Sequence, residues 1–331
     1  MTDSKKDKLG AVHHYVPQGY LKRFATEKNP EQIVAYETGK KTYITNIHNI
    51  AGQRDFYTYT AKDTGEKDST LEDVLADVDA EGVNMFRLLD SKPDGIVNDL
   101  TDEQRGNLLS YIAFQHTRNL QERKMWATSY EQQTRMMMQA KASGESSFHA
   151  DAKKAFGDKY TYEMAEETRK TLLAGDAILK FDPMDQYFMG VALNMSRTLY
   201  EILFTQKKLV LVSRTPDAGV FITSDNPVTH YLTEEQLKNR PWFMGTGYLE
   251  AIFQIPISPD RCLQLINHDM VMETFQYNAN DVDYINYYTY HFADRWVFSN
   301  KNDDNITKSF AKFKRTTPLT SISSPFDRTQ K

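Results

Sequence analysis

The chain has 331 residues, of which 40% are hydrophobic, 26% charged and 12% aromatic. This composition is that of an ordinary globular protein, and the length is ample for a core that needs no disulfide or metal to hold it. The 40 Lys and Arg residues are outnumbered by 45 Asp and Glu residues, so the net charge is −5. Proteins that wrap long duplexes carry a positive field, so this charge argues against an architectural nucleic-acid binder.

Cysteine usage and hydropathy indicate the compartment. Cys262 is the one cysteine of the chain, so no intramolecular disulfide can form, and a secreted disulfide framework is excluded. The first ten residues are polar and contain lysines but no apolar segment, which does not fit a secretory signal. No run approaches the ~20 apolar residues of a membrane-spanning helix. We therefore expect a cytoplasmic protein without a membrane partner.

The N-terminal part of the chain predicts a leader followed by strands. Residues 1–12 are expected to form a disordered leader. Three runs rich in β-branched and aromatic residues follow at 33–36, 42–45 and 55–59, with Gly-Lys and Gly-Gln breaks between them. Such runs, separated by turn residues, are typical of neighbouring strands. We predict a small antiparallel meander here.

Two capping boxes predict the starts of long helices. Ser69 with Glu72, and Thr101 with Gln104, both match the pattern in which two side chains bond to each other's backbone N–H groups. Apolar residues recur at helical spacing after each box. The second helix is expected to run past Arg118.

The middle of the chain predicts further helices. Residues 121–180 are rich in Glu, Lys, Ala and Met, which favour helix. Breaks near Gly144 and Gly157 indicate a hairpin or lid. Pro183, at the first position of another helical run, predicts a helix that extends to about Gln206.

The C-terminal part changes to the period of strands, at 208–213, 219–223, 249–256, 261–266 and 295–299. Strand and helix runs are therefore segregated, which favours an α+β fold over a doubly wound sheet. The expected fold is helix-rich α+β, with the N-terminal meander, a central set of long helices and a C-terminal antiparallel sheet. We expect one domain over residues 13–331, with a helical insertion at about 121–180.

The first polar cluster is the stretch HHYVPQ at 13–18. Imidazole has the side-chain pKa nearest neutrality, so His13 and His14 are candidates for a general base, a general acid or a metal ligand. Neighbouring side chains of an extended segment point to opposite faces, so one of the two is expected to face a given pocket. The alternative is that both histidines hydrogen-bond and attach the N-terminal segment to the core.

The second cluster lies on a helix face. Gln115, Arg118 and Asn119 share that face because residues three and four apart are neighbours on a helix, and Tyr111 extends it. Arginine offers a planar fork suited to phosphate or carboxylate. The alternative is that Arg118 pairs with a buried acid and that Gln115 satisfies loop carbonyls.

The third cluster is TSDNPV at 223–228, at the end of a predicted strand. Asp225 is a candidate to orient a histidine, bind a metal or act as a base, and Ser224 and Asn226 are candidates to contact substrate. Asp-Asn-Pro is also a strong turn signal, because short side chains bond the local backbone and proline fixes φ. The cluster is therefore also consistent with a turn alone.

These blocks occur in a definite order: HHYVPQ at 13–18, FQxxR at 114–118, TSDNPV at 223–228 and PISP at 256–259. In this arrangement the chain resembles the bacterial domain-of-unknown-function family numbered four-two-three-eight, whose members begin with a similar His-His-x-x-Pro stretch. The resemblance covers residues 13–299. Members commonly have a proline soon after the helix arginine, where this chain has Asn119-Leu120. No established activity comes with the resemblance.

The sequence has no glycine-rich phosphate loop, no G-x-S-x-G and no H-E-x-x-H motif, so nucleotide-driven and α/β-hydrolase mechanisms lack support. Three interpretations of the clusters follow. The first is a nuclease or other phosphodiester hydrolase acting on nucleic acid, as a phage-defence effector. His13 or His14 would move the proton, Arg118 would stabilise charge on the phosphate, and Asp225 would orient the histidine or hold a divalent metal. The residues expected to position substrate are Gln115, Asn119, Ser224 and Asn226.

The second class is a non-catalytic binding or sensor module that recognises an anionic ligand or a phage component through the same residues. A scaffold in which every cluster is structural is the third reading. A homo-oligomer is compatible with each class.

Overall fold

The computed structural model describes residues 12–37, 40–54, 56–60, 64–68, 70–177, 184–233, 236 and 247–312. Five features of the sequence analysis lie wholly or partly outside these residues. They are the predicted leader except its last residue, Asp55 at the start of the third predicted strand, Ser69 of the first capping box, residues 178–180 at the end of the predicted insertion, and Pro183 before the later helix.

The strands, labelled in chain order, are β1 (Val12–His14), β2 (Gln32–Glu37), β3 (Tyr43–Asn46), β4 (Gly52–Arg54), β5 (Tyr59–Thr60), β6 (Lys67–Asp68), β7 (Gly95–Ile96), β8 (Lys207–Arg214), β9 (Thr223–Ser224), β10 (Thr229–Tyr231), β11 (Ile252–Pro256), β12 (Arg261–Asn267), β13 (Gln276–Tyr277) and β14 (Trp296–Ser299). The α-helices are α1 (Gln18–Leu21), α2 (Thr70–Asp90), α3 (Asp102–Thr117), α4 (Leu120–Ser143), α5 (Glu145–Phe156), α6 (Tyr162–Ala174), α7 (Met184–Gln206), α8 (Ala279–Phe292) and α9 (Asp304–Lys312). Short 3₁₀ helices cover Lys22–Phe24, Ile47–Asn49 and Gly157–Lys159.

The larger sheet is the predicted C-terminal sheet. Its strand order is β10-β11-β12-β8-β13, and the short β7 also pairs with β8. All of these pairings are antiparallel except that of β13 with β8. Strand β8 is buried on both faces, from Leu209 to Val212. Its continuous apolar run, rather than an alternating one, reflects that burial.

The smaller sheet has the order β3-β2-β14-β9, and all its pairings are antiparallel. Strands β2 and β3 match the first two predicted strands. The third predicted strand differs, because residues 56–58 form no strand and the preceding β4 pairs with β1 instead. The place beside β2 is taken by β14, from the far end of the chain. The α+β fold class is confirmed, but the N-terminal strands share their sheet with C-terminal ones.

Helix α3 begins at the predicted capping box and ends earlier than expected. Gln104 N–H donates to Thr101 Oγ1 at 3.2 Å, and Thr101 N–H donates to Gln104 Oε1 at 3.0 Å. The helix ends at Thr117, so the expectation that it runs past Arg118 is wrong. The reason is that Asn119 caps α4: its Oδ1 accepts the N–H of Glu122 at 2.9 Å. Asparagine is among the best helix N-caps.

The second half of α3 is enclosed by protein. Every residue from 111 through 119 is buried. An amphipathic helix would keep its polar residues on a solvent face, and here the polar residues are inside as well. Because leaving a buried polar group unpaired is costly, the partners of these side chains decide what the end of the helix does.

The described chain divides into two compact units. One contains residues up to 122 and from 189 onward, and holds both main sheets with α2 and α3. The other lies within residues 123–188, and its described part contains helices that break at Gly144 and at Gly157, as the sequence predicts. Among the helices described, none has both the length and the apolar character that crossing a membrane requires.

The packing of α2 on α3 depends on a glycine. A Cβ atom added at Gly82 would lie 2.2 Å from Cγ of Tyr111, which is fully buried. We expect Gly82→Ala to lower the free energy of unfolding by about 1–3 kcal/mol, because the ring and the helix must move apart. Urea unfolding measures this.

The matched control is Gly190→Ala in α7, where no atom lies within 4 Å of the added Cβ. That change should stabilise the protein by up to about 1 kcal/mol, since alanine favours helix over glycine. Equal effects of the two substitutions would contradict the packing described.

Candidate functional site

His13 hydrogen-bonds through one ring nitrogen and lies beside a carboxylate with the other. Its Nδ1 accepts the backbone N–H of Tyr57 at 3.0 Å, so the proton of the neutral ring is on Nε2. Nε2 lies 2.9 Å from Oε2 of Glu72 on α2, and the ring stacks on that of Tyr57. The residue is 1% exposed. His13 therefore joins β1 to α2, and neither nitrogen faces solvent.

His14 is half-buried and has a different environment. Its Nε2 lies 3.1 Å from the backbone oxygen of His48, a contact in which the ring N–H must be the donor. In the neutral ring, Nδ1 then carries the lone pair, and it accepts the amide of Gln18 at 3.4 Å. Burial lowers the pKa of His14, so the ring is neutral at pH 7.

Arg118 is enclosed at the C-terminal end of α3. It is fully buried, and its two terminal nitrogens donate to the two carboxylate oxygens of Asp79 on α2 at 3.2 and 2.5 Å. Nε donates to Oε1 of Gln115 at 3.2 Å, and the guanidinium lies over the ring of Phe114. Burial alone would lower the pKa of Arg118, but the Asp79 carboxylate outweighs it and the pKa is raised. The fork predicted to hold a phosphate is thus bound to an acid of the same chain.

Asp225 organises the turn before β14. Its Oδ1 accepts the N–H of Asp294 at 2.8 Å, and its Oδ2 accepts those of Arg295 and Trp296 at 2.7 and 3.0 Å. Burial, and then the nearby Asp294 charge, raise the pKa of Asp225 to about 6. Both carboxylate oxygens are occupied by backbone, so holding this turn is the function that the geometry shows.

Ser224 and Asn226 complete the corner. Ser224 Oγ donates to the carbonyl of Asn226 at 2.8 Å and accepts its N–H at 3.1 Å. Asn119 Nδ2 donates to Asn226 Oδ1 at 3.0 Å, and Asn226 Nδ2 donates to the carbonyl of Phe292. The corner is thereby connected directly to the end of α3.

The three sequence clusters meet at α3. Gln115 Nε2 donates to the carbonyl of Tyr15 at 2.9 Å, which attaches the N-terminal segment, and Asn119 attaches the Asp-Asn-Pro corner. The predicted reactive groups do not face one another across these links. His13 faces Glu72, and Arg118 faces Asp79.

The sequence analysis missed several residues of this region. Glu72 was considered only as a capping residue, and Asp79 was not considered. They lie seven residues apart on α2, a spacing that places two side chains on one helix face, so a signal was present. His48 lies outside any recognised motif. His116 lies inside the FQxxR block, but only Gln115 and Arg118 of that block were predicted as site residues.

His116 belongs to a buried group of rings. Its Nδ1 donates to the carbonyl of Val228 at 3.2 Å, and its Nε2 accepts the hydroxyl of Tyr248 at 3.1 Å. The ring of His230 packs against it edge-on. Burial lowers the pKa of His116 to about 4, so this imidazole is neutral at physiological pH.

One group in the helical unit has the donor atoms of a metal centre. Glu145, His149 and Glu166 place their ligand atoms within 4.8 Å of one another. Arg169 already donates to both oxygens of Glu166, at 2.8 and 2.9 Å. Because a cation occupies that carboxylate, the arrangement forms a complete ion-pair network without a metal.

The fold and the buried contacts together define an α+β protein whose N-terminal histidine segment and Asp-Asn-Pro corner are both attached to a buried helix end. The chain belongs to the family described as Protein of unknown function (DUF4238), whose model matches residues 12–303. This confirms the resemblance drawn from the ordered blocks. Neither the curated proteins nor the solved structures contain a match to the chain.

Removing the acid that faces Arg118 should be strongly destabilising. We expect Asp79→Ala to lower the free energy of unfolding by about 3–5 kcal/mol, because it leaves a buried guanidinium without its counter-charge. The control is Asp77→Ala, at an exposed position of the same helix, which should change little. The double variant Arg118→Met, Asp79→Leu should recover most of the loss. A small effect of Asp79→Ala would contradict the buried pair.

Acid should destabilise the protein through His116. The unfolded chain binds a proton near pH 6.5, whereas the folded ring resists it until about pH 4. The free energy of unfolding contributed by this group therefore falls as the pH drops through that window, by up to about 3 kcal/mol. His116→Gln should flatten the slope of stability against pH between 7 and 4. An unchanged slope would show that His116 has the same pKa in the folded protein as in the unfolded chain.

Proposed function

We propose that this protein is a phosphodiester hydrolase acting on nucleic acid, with its reacting centre at His14. The observation that supports the proposal is the exposure of the His14 imidazole together with its hydrogen bonds. Among the predicted catalytic residues, His13, Arg118 and Asp225 are buried, whereas His14 is half-exposed. Its Nε2–H is held by a backbone carbonyl, its Nδ1 carries the lone pair that accepts the Gln18 amide, and the ring of a second imidazole, that of His48, lies 5.6 Å away between centroids.

A lone pair at this position suits the chemistry. Hydrolysis at neutral pH requires the proton of the attacking water to be removed, and an imidazole nitrogen serves either as the base or as the ligand of a metal ion that lowers the pKa of the water. For Arg118 or Asp225 to contact a phosphate, their bonds to Asp79 and to the turn before β14 would have to open. In the proposal these residues, with His13, are positioning residues.

We place this activity in the bacterial cytoplasm, directed at phage nucleic acid. The resemblance of the ordered blocks to a bacterial family supports the source. A single buried thiol, that of Cys262, fits a reducing compartment. The net charge of −5 fits an enzyme that contacts nucleic acid at one confined site rather than along a duplex.

A binding or sensor module is the second candidate. The observation that favours it is that Nδ1 of His13, the guanidinium of Arg118 and the carboxylate of Asp225 all hydrogen-bond within the chain, as expected of a fixed scaffold. Stabilisation of the fold by an anionic metabolite, peptide or oligonucleotide without turnover would support this candidate.

The test is cleavage of mixed DNA and RNA by the purified protein. We expect His14→Ala to lower the rate by roughly 100-fold or more, the usual contribution of a proton-transfer group. His268→Ala is the matched control, because His268 is also exposed and its ring has no role in the proposal. Melting temperatures of both variants separate lost catalysis from lost folding. Full activity of His14→Ala, or no cleavage by the wild-type protein, would overturn the proposal.

A further inference from the structure

The side chain of Gln18 lies between two imidazoles. Its amide nitrogen is 3.4 Å from Nδ1 of His14 and 3.5 Å from Nδ1 of His48. The two ring centroids are 5.6 Å apart. His48 and Gln18 come from the 3₁₀ helix Ile47–Asn49 and from α1, and His14 ends β1. Three elements therefore direct nitrogen atoms at one point near the surface.

The tautomer of His14 and the backbone of His48 are both fixed by the fold. The Nε2–H of His14 donates to the carbonyl of His48 itself, so the Nδ1 lone pair of His14 is directed at the amide. Metal-binding histidines are typically held this way, with the other ring nitrogen bonded to a carbonyl or carboxylate. The backbone of His48 is held by Asn46, whose Oδ1 accepts its N–H at 2.9 Å.

The close approach of β1 to β4, next to His14, also depends on a glycine. A Cβ atom added at Gly52, opposite His14 in the β1–β4 pair, would lie 2.7 Å from Val12 Cγ1 and 3.4 Å from His14 Cδ2. The position of His14 is therefore set by packing on one side and by His48 on the other.

We infer that His14, His48 and Gln18 form the binding site of a divalent transition-metal ion. The two Nδ1 atoms would be ligands, and rotation of the Gln18 amide would bring its oxygen in as the third, with water completing the shell. Amide nitrogen and oxygen are nearly equal in size, so the rotation needs no extra room. Three lone pairs facing one point repel one another unless a cation lies between them, so the two amide orientations correspond to the metal-free and metal-bound protein.

The donor set selects the class of metal. Imidazole nitrogens suit zinc, nickel, copper and iron, whereas magnesium and calcium require oxygen ligands. The Glu145, His149 and Glu166 group is the alternative place for such an ion, but Arg169 already neutralises Glu166.

The catalytic consequence rests on the proposed function. The ion would lower the pKa of a bound water and hold a phosphate oxygen. Hydrolysis forms one P–O bond to the water oxygen and breaks the P–O bond to the nucleoside oxygen. One proton of the water goes to that departing oxygen and the other to the solvent, so no further reactant is needed.

The experiment is calorimetric titration of the full chain, first stripped with a chelator, with Zn²⁺ and separately with Ni²⁺. We expect one ion per chain, at least 10-fold weaker binding in His14→Ala and in His48→Ala, and roughly 10-fold tighter binding in Gln18→Glu, which replaces the amide by a charged ligand. Binding by His268→Ala and by His149→Ala should equal that of the wild type.

The possible results distinguish a failure of the metal-site proposal from a failure of the hydrolase proposal. Absence of binding, or binding that His14→Ala and His48→Ala leave unchanged, overturns the metal site. Loss of binding in His149→Ala assigns the ion to the helical unit and also overturns it. If the ion binds as expected and no nucleic acid is cleaved in its presence, the metal site holds and the hydrolase proposal fails.

Discussion

The structure depends most on the burial of one positive charge. Arg118 is fully enclosed, and a guanidinium cannot lose its proton to escape the cost of leaving water. That cost is offset by Asp79 and Gln115, which come from α2 and from the preceding turn of α3. The pair therefore requires α2 and α3 to be in register, and Gly82 provides the close approach that this register needs.

The same helix end connects distant parts of the chain. Gln115 binds the backbone at Tyr15, and Asn119 binds Asn226. These are amide groups, which satisfy buried carbonyls and each other without charge. Consequently the N-terminal segment and the Asp-Asn-Pro corner both take their positions from α3, and His14 reaches the surface at the edge of this connected region. A rigid support of this kind is what a surface centre of two imidazoles requires.

Local signals in the sequence predicted local structure well. The capping box of Thr101 and Gln104 correctly predicted the start of α3, because both residues lie within one helical turn. The predicted end of α3 was wrong, because the helix was expected to continue past Arg118. The sequence did contain the N-cap of α4, which is the bond from the N–H of Glu122 to the side chain of Asn119. The α+β class followed from the segregation of strand and helix periods, which does not depend on which strands pair.

Partners distant in sequence could not be predicted. Nothing near Arg118 indicates that its acid is Asp79, because α2 and α3 are matched by packing and not by a motif. For the same reason His48 was missed as the neighbour of His14: Asn46 caps the 3₁₀ turn that holds His48, but a cap does not indicate which distant residue the turn lies against. The clusters were found, but their roles depend on contacts that only the folded chain supplies.

The position of β14 has a consequence for synthesis. It lies between β2 and β9, so the inner edge of β2 has no strand partner until residues 296–299 have been made. On a ribosome, the N-terminal hairpin of β2 and β3 must therefore wait with an open, apolar edge while most of the chain emerges. Such an edge is prone to pair with other chains. The smaller sheet is therefore completed late in synthesis, after residues 296–299 have emerged.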